Sequence, residues 1–188
     1  MSSVLVLLLI VLVLGFLILA RREPRGQDRA QRAVVCLTTG KQLLVMQEVV
    51  SKRRRGPPEL PKGRIKQGET ALKAAHRECL EESGLRPEVL QCLTSLQVRR
   101  GRKKRQERWD VFWGEVPAAT SVPFEHRVTG RGNDRGRRYV FSLLPVDHMD
   151  ASALRPPLGE VLPVLRDRLA LRRPPPPTHG GRCLQRSL

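Results

Sequence analysis

Aromatic residues are scarce in this 188-residue chain, at 4%, so any core has to be built mainly from aliphatic side chains. Cysteine is scarce too. Cys36, Cys79, Cys92 and Cys183 form no CxxC pair, which argues against a disulfide framework or a zinc site. Cys36, Cys79 and Cys92 have apolar neighbours and are expected to be small buried thiols, as suits a reducing compartment. The four histidines are scattered without metal-ligand spacing. Acidic residues are in deficit, 18 against 35 Lys and Arg, giving a formal net charge of +17. A surface so basic attracts polyanions, whether nucleic acid, anionic lipid or a highly phosphorylated small molecule, and charge alone does not choose among them.

What is present divides unevenly. Residues 4–20 are an unbroken apolar run, relieved only by Gly15. At about 1.5 Å per residue such a helix just spans a hydrocarbon core, and a helix apolar on every face is foreign to a soluble surface. A cleaved signal peptide is the rival reading. It suits the sequence less well, because Met1-Ser2-Ser3 carries no basic side chain and Ala20 follows Leu19 and Ile18. Arg21, Arg22, Arg25, Arg29 and Arg32 follow the run and place that flank in the cytoplasm by the positive-inside rule. The expectation is a single-pass transmembrane anchor over residues 1–22, a linker over 23–32, a domain over 33–171 on the cytoplasmic side, and a disordered, basic, Pro-rich tail over 172–188.

Within the domain, residues 33–38 and 42–50 predict a β-hairpin around Thr39-Gly40-Lys41. Residues 51–58 read as a basic loop containing Arg54 and Arg55, and residues 99–105 as a second one. The stretch 70–83 predicts a helix with Leu72, Ala75 and Cys79 on one face, capped by Thr70 and ended by Gly84. Strands are expected over 89–98, 108–116 and 139–146, and a second helix over 158–171, weakened near its start by Pro163. This mixed order implies an α/β domain with a mixed sheet.

The chemistry concentrates in residues 63–85, GRIKQGETALKAAHRECLEESGL. Glu78 and Glu82 are i and i+4 on the predicted helix, and Glu81 is i+3 from Glu78, so all three project from one side. Three adjacent carboxylates repel one another unless cations join them. Oxygen ligands on a rigid helix suit a hard ion such as Mg²⁺ or Mn²⁺. Arg77 is placed to orient or partly neutralise the group. A solvated acidic face is the bland reading, but a clustered acid patch is out of character in a chain of +17.

This stretch resembles the Nudix box: Gly, five residues, Glu, seven residues, Arg-Glu-aliphatic, one residue, Glu-Glu, one residue, Gly-aliphatic. Gly63, Glu69, Arg77, Glu78, Cys79, Glu81, Glu82, Gly84 and Leu85 stand at the matching places, with only Cys79 departing from the aliphatic preference. Seven identities at fixed spacing arise by chance about once in ~10⁸ placements. The resemblance implies a Nudix-type α/β/α sandwich and Mg²⁺-dependent hydrolysis of a phosphoanhydride bond. It implies Glu78 and Glu82 as main metal ligands, Glu81 as ligand or base, a contribution from the Gly63 carbonyl, and support from Arg77, Glu69 and Gly84. Many members add a distal acid, for which Glu115 and Glu125 are both candidates.

Leu60-Pro61-Lys62-Gly63 is similar to the approach to the box in relatives acting on dinucleoside polyphosphates, diphosphoinositol phosphates or RNA 5′ ends, and it reads equally as a turn. Lys62, Arg54 and Arg55 are the candidate substrate-binding cations. The 126–136 loop fails the G-x-G-x-x-G spacing, because Arg135 stands where the third Gly belongs. The expected partners are a phosphorylated small molecule and, through the N-terminal run, membrane lipid. Nucleic acid is compatible with the charge but not expected. A different class of function remains open: a membrane-anchored basic scaffold that binds RNA or anionic lipid and carries an idle Nudix domain.

Overall fold

The computed structural model describes residues 31–100 and 105–171. The expected anchor and tail, and most of the second basic loop, lie outside those residues. Among the described residues, no helix is long and apolar enough to cross a membrane.

The predicted hairpin is present as β1 (Gln31–Thr39) and β2 (Gln42–Ser51), joined through Gly40. The elements that follow are β3 (Arg54–Arg55), β4 (Lys62–Arg64), α1 (Ala71–Ser83), β5 (Gln91–Arg100), β6 (Arg105–Glu115), β7 (Phe124–Arg127), β8 (Arg138–Pro145) and α2 (Leu162–Leu171). The main sheet runs β5-β6-β1-β2-β8-β7, with β1 and β6 parallel and the remaining pairs antiparallel.

Alternation along β1 assigns its side chains to two apolar layers. Val34 and Cys36 join Val45, Trp109 and Val111 beneath Leu158, Val161, Leu162 and Leu165. Ala33, Val35 and Leu37 join Leu44, Met46 and Phe112 beneath Ala74, Ala75 and Cys79 of α1. The central strands are therefore buried on both faces, with one helical layer against each, and the expected α/β/α architecture with a mixed sheet is the one formed.

Several local expectations are corrected. Arg54 and Arg55 lie not in a plain loop but in a short strand folded back on β2. The strands β4 and β7 were not expected; at three and four residues each, neither is long enough to show a period. Ala75 and Cys79 lie on the buried face of α1 as expected, but Leu72 is exposed and Ala74 takes its place there. Small side chains there let the helix lie close on the sheet. The second helix starts at Leu162, after a 3₁₀ turn over Leu158–Val161, so that Pro163 falls in the first helical turn, where its missing N–H costs no hydrogen bond. Cys36 and Cys79 are buried thiols, and burial pushes Cys36 up to about 12. Cys92 is not a free thiol: it is only partly buried and is disulfide-bonded.

One irregularity positions the site. β1 and β2 pair beside their turn, at Thr38–Leu43 and Thr39–Gln42, and then part. The segment 59–64 fills the opening. β4 pairs with β1 through Val34–Lys62, Ala33–Gly63 and Arg32–Arg64. On the other side, Glu59 exchanges backbone bonds with Met46 at 2.8 and 2.9 Å. Glu59, Lys62 and Gly63 are thus held from both sides by the most buried strands of the sheet.

Candidate active site

Helix α1 begins where the Thr70 side chain accepts from the Lys73 amide and ends at Gly84 in the left-handed region, φ +73°. A side-chain carbon at Gly84 would also stand 2.9 Å from the ring of His126. His126 and Thr129 pack against the end of the helix, where the Thr129 amide donates to the Glu81 carbonyl at 3.1 Å.

The three clustered carboxylates are set differently. Glu78 lies over β4, so close to Gly63 that a Cβ there would fall 1.9 Å from its carboxyl carbon. Only glycine permits this approach. Burial raises the Glu78 carboxyl above its usual range, with Arg77 acting in the opposite direction. Glu82 is the most enclosed, at 5% exposure, and accepts from the Lys62 amide at 2.9 Å. Burial, aided by the nearby charges of Glu78 and Asp134, pushes it up to about 8 although Lys62 opposes the shift. Glu81 is more open, and its carboxylate lies against the backbone of Gly130.

Arg77 ties the acids together. Its Nε and Nη2 donate to the two oxygens of Glu69, each at 2.8 Å, a bidentate pair. Its Nη1 donates to Glu78 at 2.5 Å and reaches Glu81 at 3.4 Å, while Nη2 also reaches the Arg64 carbonyl at 2.9 Å. The guanidinium draws the Glu69 carboxyl down to about 2, and these acids hold Arg77 above its ordinary value. Arg77 therefore joins the loop of the box to its helix.

Beyond Glu82 opens a cleft of about 660 Å³. Its cationic side chains are Arg32, Lys62, Arg99, Arg137 and Arg155, and its acids are Glu59, Glu82, Asp134 and Glu160. Of the candidate substrate cations, Lys62 lines this cleft, whereas Arg54 and Arg55 stand exposed at the β2–β3 turn. Glu115 is exposed at the end of β6, and Glu125 on β7 lies 3.7 Å from Arg138; neither lines the cleft. Arg137 and Arg155 come from loops with no motif, and only their charge marks them in the sequence.

The residues fit a hard divalent cation. The donors are carboxylate and carbonyl oxygens, Glu82 is a buried acid with its charge incompletely offset, and Gly63 makes room for the Glu78 carboxylate beside its backbone. Among the described residues, no three His, Cys, Asp or Glu side chains already converge as a ligand set; Arg77 contacts Glu78 and Glu81 instead.

Clustered carboxylates beside a glycine turn, with Glu82 opening on a cleft that carries five cations, suit a hydrolase acting on a phosphate-bearing substrate. A family model described as NUDIX domain matches residues 28–163, and the chain belongs to the Nudix family. It is a Nudix-type pyrophosphohydrolase, an enzyme acting on acid anhydrides. Among solved structures, a NUDIX hydrolase from Nitrosomonas europaea is 22% identical, covering 79% of this chain and 93% of its own, with a TM-score of 0.53. A MutT NUDIX hydrolase from Burkholderia pseudomallei is 16% identical, covering 74% of this chain and 99% of its own, with a TM-score of 0.56. The E. coli ORF135 protein is 18% identical, covering 79% of this chain and 97% of its own, also at 0.56. At these identities the likeness establishes the fold. Comparison with curated proteins gives no match.

Proposed function

We propose that this enzyme hydrolyses a phosphoanhydride bond in a nucleoside diphosphate-linked or polyphosphorylated substrate, of the dinucleoside polyphosphate or diphosphoinositol phosphate kind, with Mg²⁺ or Mn²⁺ as cofactor. The observation that carries this reading is the Glu82 carboxylate, buried at 5% exposure yet lining a cleft that also holds Lys62, Arg137 and Arg155. Glu78 and Glu82, with Glu81 and the Gly63 carbonyl, would hold the cation, which would supply neutralisation of phosphate oxygens and a more acidic water.

The chain's own residues do the rest. Arg77 bonds Glu78 and Glu81 and ties them to Glu69, so one guanidinium holds the three acids together. Glu81 has the most exposed of the three clustered carboxylates, 26% for its side chain against 12% for Glu78, and is the group assigned to take the proton of the attacking water. A substrate linked through ADP is consistent with one structural neighbour, described as an ADP compounds hydrolase, at 17% identity and a TM-score of 0.56.

The test is phosphate release from a panel of nucleoside diphosphate derivatives, dinucleoside polyphosphates and diphosphoinositol phosphates. Turnover of at least one compound that stops with a chelator supports the proposal. No turnover across the panel, together with tight binding of RNA or anionic vesicles, is the result of an idle scaffold.

The anchor is a separate part of the proposal. The apolar run over residues 4–20 and its arginine flank support single-pass insertion with the domain on the cytoplasmic side. Deletion of residues 1–20 is expected to give soluble, active protein. A mature chain beginning after Ala20 argues for secretion instead.

A further inference from the structure

Glu59 is 4% exposed and carries two cations. Its Oε2 accepts from the Lys62 ammonium at 2.5 Å, and its Oε1 lies 3.1 Å from Nη2 of Arg155. The carboxylate is thereby used on both oxygens, but the cations are not exhausted. An ammonium has three donors and a guanidinium five, so each retains N–H groups that Glu59 does not take. Both side chains line the cleft that contains Glu82.

The pair is also rigid. Backbone bonds to Met46 fix Glu59, and the Arg155 amide donates to the Pro58 carbonyl at 2.8 Å, tying the 155–160 loop to the same segment. Lys62 connects the pair to the catalytic helix, because its amide donates to Glu82 while its ammonium is held by Glu59. Arg137 stands on the same cleft, 43% exposed, and shares its charge between Glu48 and Asp134 at 3.5 and 3.2 Å. Spare donors fixed in advance lose little freedom on binding an oxyanion.

We propose that Lys62 and Arg155, locked side by side on the buried Glu59, form a phosphate subsite next to Glu82 that selects substrates carrying at least one phosphate beyond the scissile pair. This deepens, and rests on, the proposed phosphoanhydride hydrolysis at the same cleft. Within that class it favours polyphosphate chains over diphosphates flanked by neutral groups. Glu59 is a positioning residue, acting through the two cations.

The experiment is calorimetric titration of the full-length protein with inorganic tripolyphosphate and pyrophosphate, without divalent metal, for the wild type and the variants Arg155→Ala, Glu59→Gln and Arg54→Ala. The wild type is expected to bind tripolyphosphate more tightly than pyrophosphate. Arg155→Ala, at a partly exposed position, is expected to weaken tripolyphosphate about tenfold, and Arg54→Ala by less than about twofold. Glu59→Gln should follow Arg155→Ala; if it does not fold, Arg155→Ala decides alone. Equal weakening by Arg155→Ala and Arg54→Ala, or equal wild-type affinity for the two anions, overturns the subsite. The parallel turnover assay with Mg²⁺ separates the two proposals. Hydrolysis without a rise in KM for a long-chain substrate in Arg155→Ala rejects the subsite alone. Arg155-dependent tripolyphosphate binding without hydrolysis of any substrate rejects the hydrolase reading alone.

Discussion

Two ion clusters joined through Glu82 and Lys62 are built on different principles. On the α1 side, acids are gathered by one arginine: Arg77 reaches Glu69, Glu78 and Glu81, all within the box. In the wall of the cleft, cations are gathered by one acid: Glu59 holds Lys62 and Arg155, which are far apart in the chain. Arg77 and Glu59 each have opposite charges around them, as a buried ion must to be tolerated. The first side suits a cation and the second an oxyanion, and Lys62 joins them through Glu82. Under the two proposals, the chemistry is set by a local segment and the choice of substrate by a dispersed one.

The largest expected effect strikes the acidic side. Glu82→Gln should lower turnover by at least about 100-fold, as removal of a group supporting a metal commonly does, in a phosphate-release assay. Without divalent metal the same variant should melt no lower than the wild type, because burial already disfavours the ionised form of Glu82. A large fall in melting temperature would instead make Glu82 a structural group. Gly63→Ala should come next. Its new carbon overlaps Glu78, displacing that carboxylate and costing about 1–3 kcal/mol in denaturant unfolding as well as activity.

Arg77→Lys sharpens the comparison further. A lysine keeps the charge but cannot hold Glu69 in two parallel bonds while reaching Glu78 and Glu81. An activity loss of about tenfold or more is expected, and wild-type activity would show that charge alone suffices. The smallest effect is on stability at low pH. The Glu69 carboxyl is drawn to about 2 in the fold from an ordinary 4.5, so its contribution is fully present above 4.5 and lost as pH falls toward 2. Glu69→Gln should flatten that part of the profile of melting temperature against pH, and an unchanged profile would remove Glu69 from the account.

The acidic side was legible in the sequence because its signals are local. Thr70, Gly84 and the i, i+3, i+4 acids act within one helix, and the spacing from Gly63 to Glu69 and Arg77 fixes how the loop returns to it. Of the cationic wall, the sequence pointed to Lys62, which precedes Gly63, but not to Arg155 or Glu59. Arg155 meets Glu59 only because β1 and β2 part and the 59–64 segment enters between them, and no single-strand pattern announces such an opening. Charge density drew attention to Arg54 and Arg55 instead, which the β2–β3 turn carries away from the cleft. The α1 face was misjudged in detail for a related reason. Hydrophobicity favoured Leu72 beside Ala75 and Cys79, but close contact with the sheet puts the small Ala74 there instead.

The most direct test of the central claim, that the carboxylates of α1 form the cation site, is Mn²⁺ binding followed by electron paramagnetic resonance in the wild type and in Glu82→Gln. The account predicts that the wild type binds Mn²⁺ and that the variant binds it at least about tenfold more weakly. Equal affinity in the two proteins would contradict it.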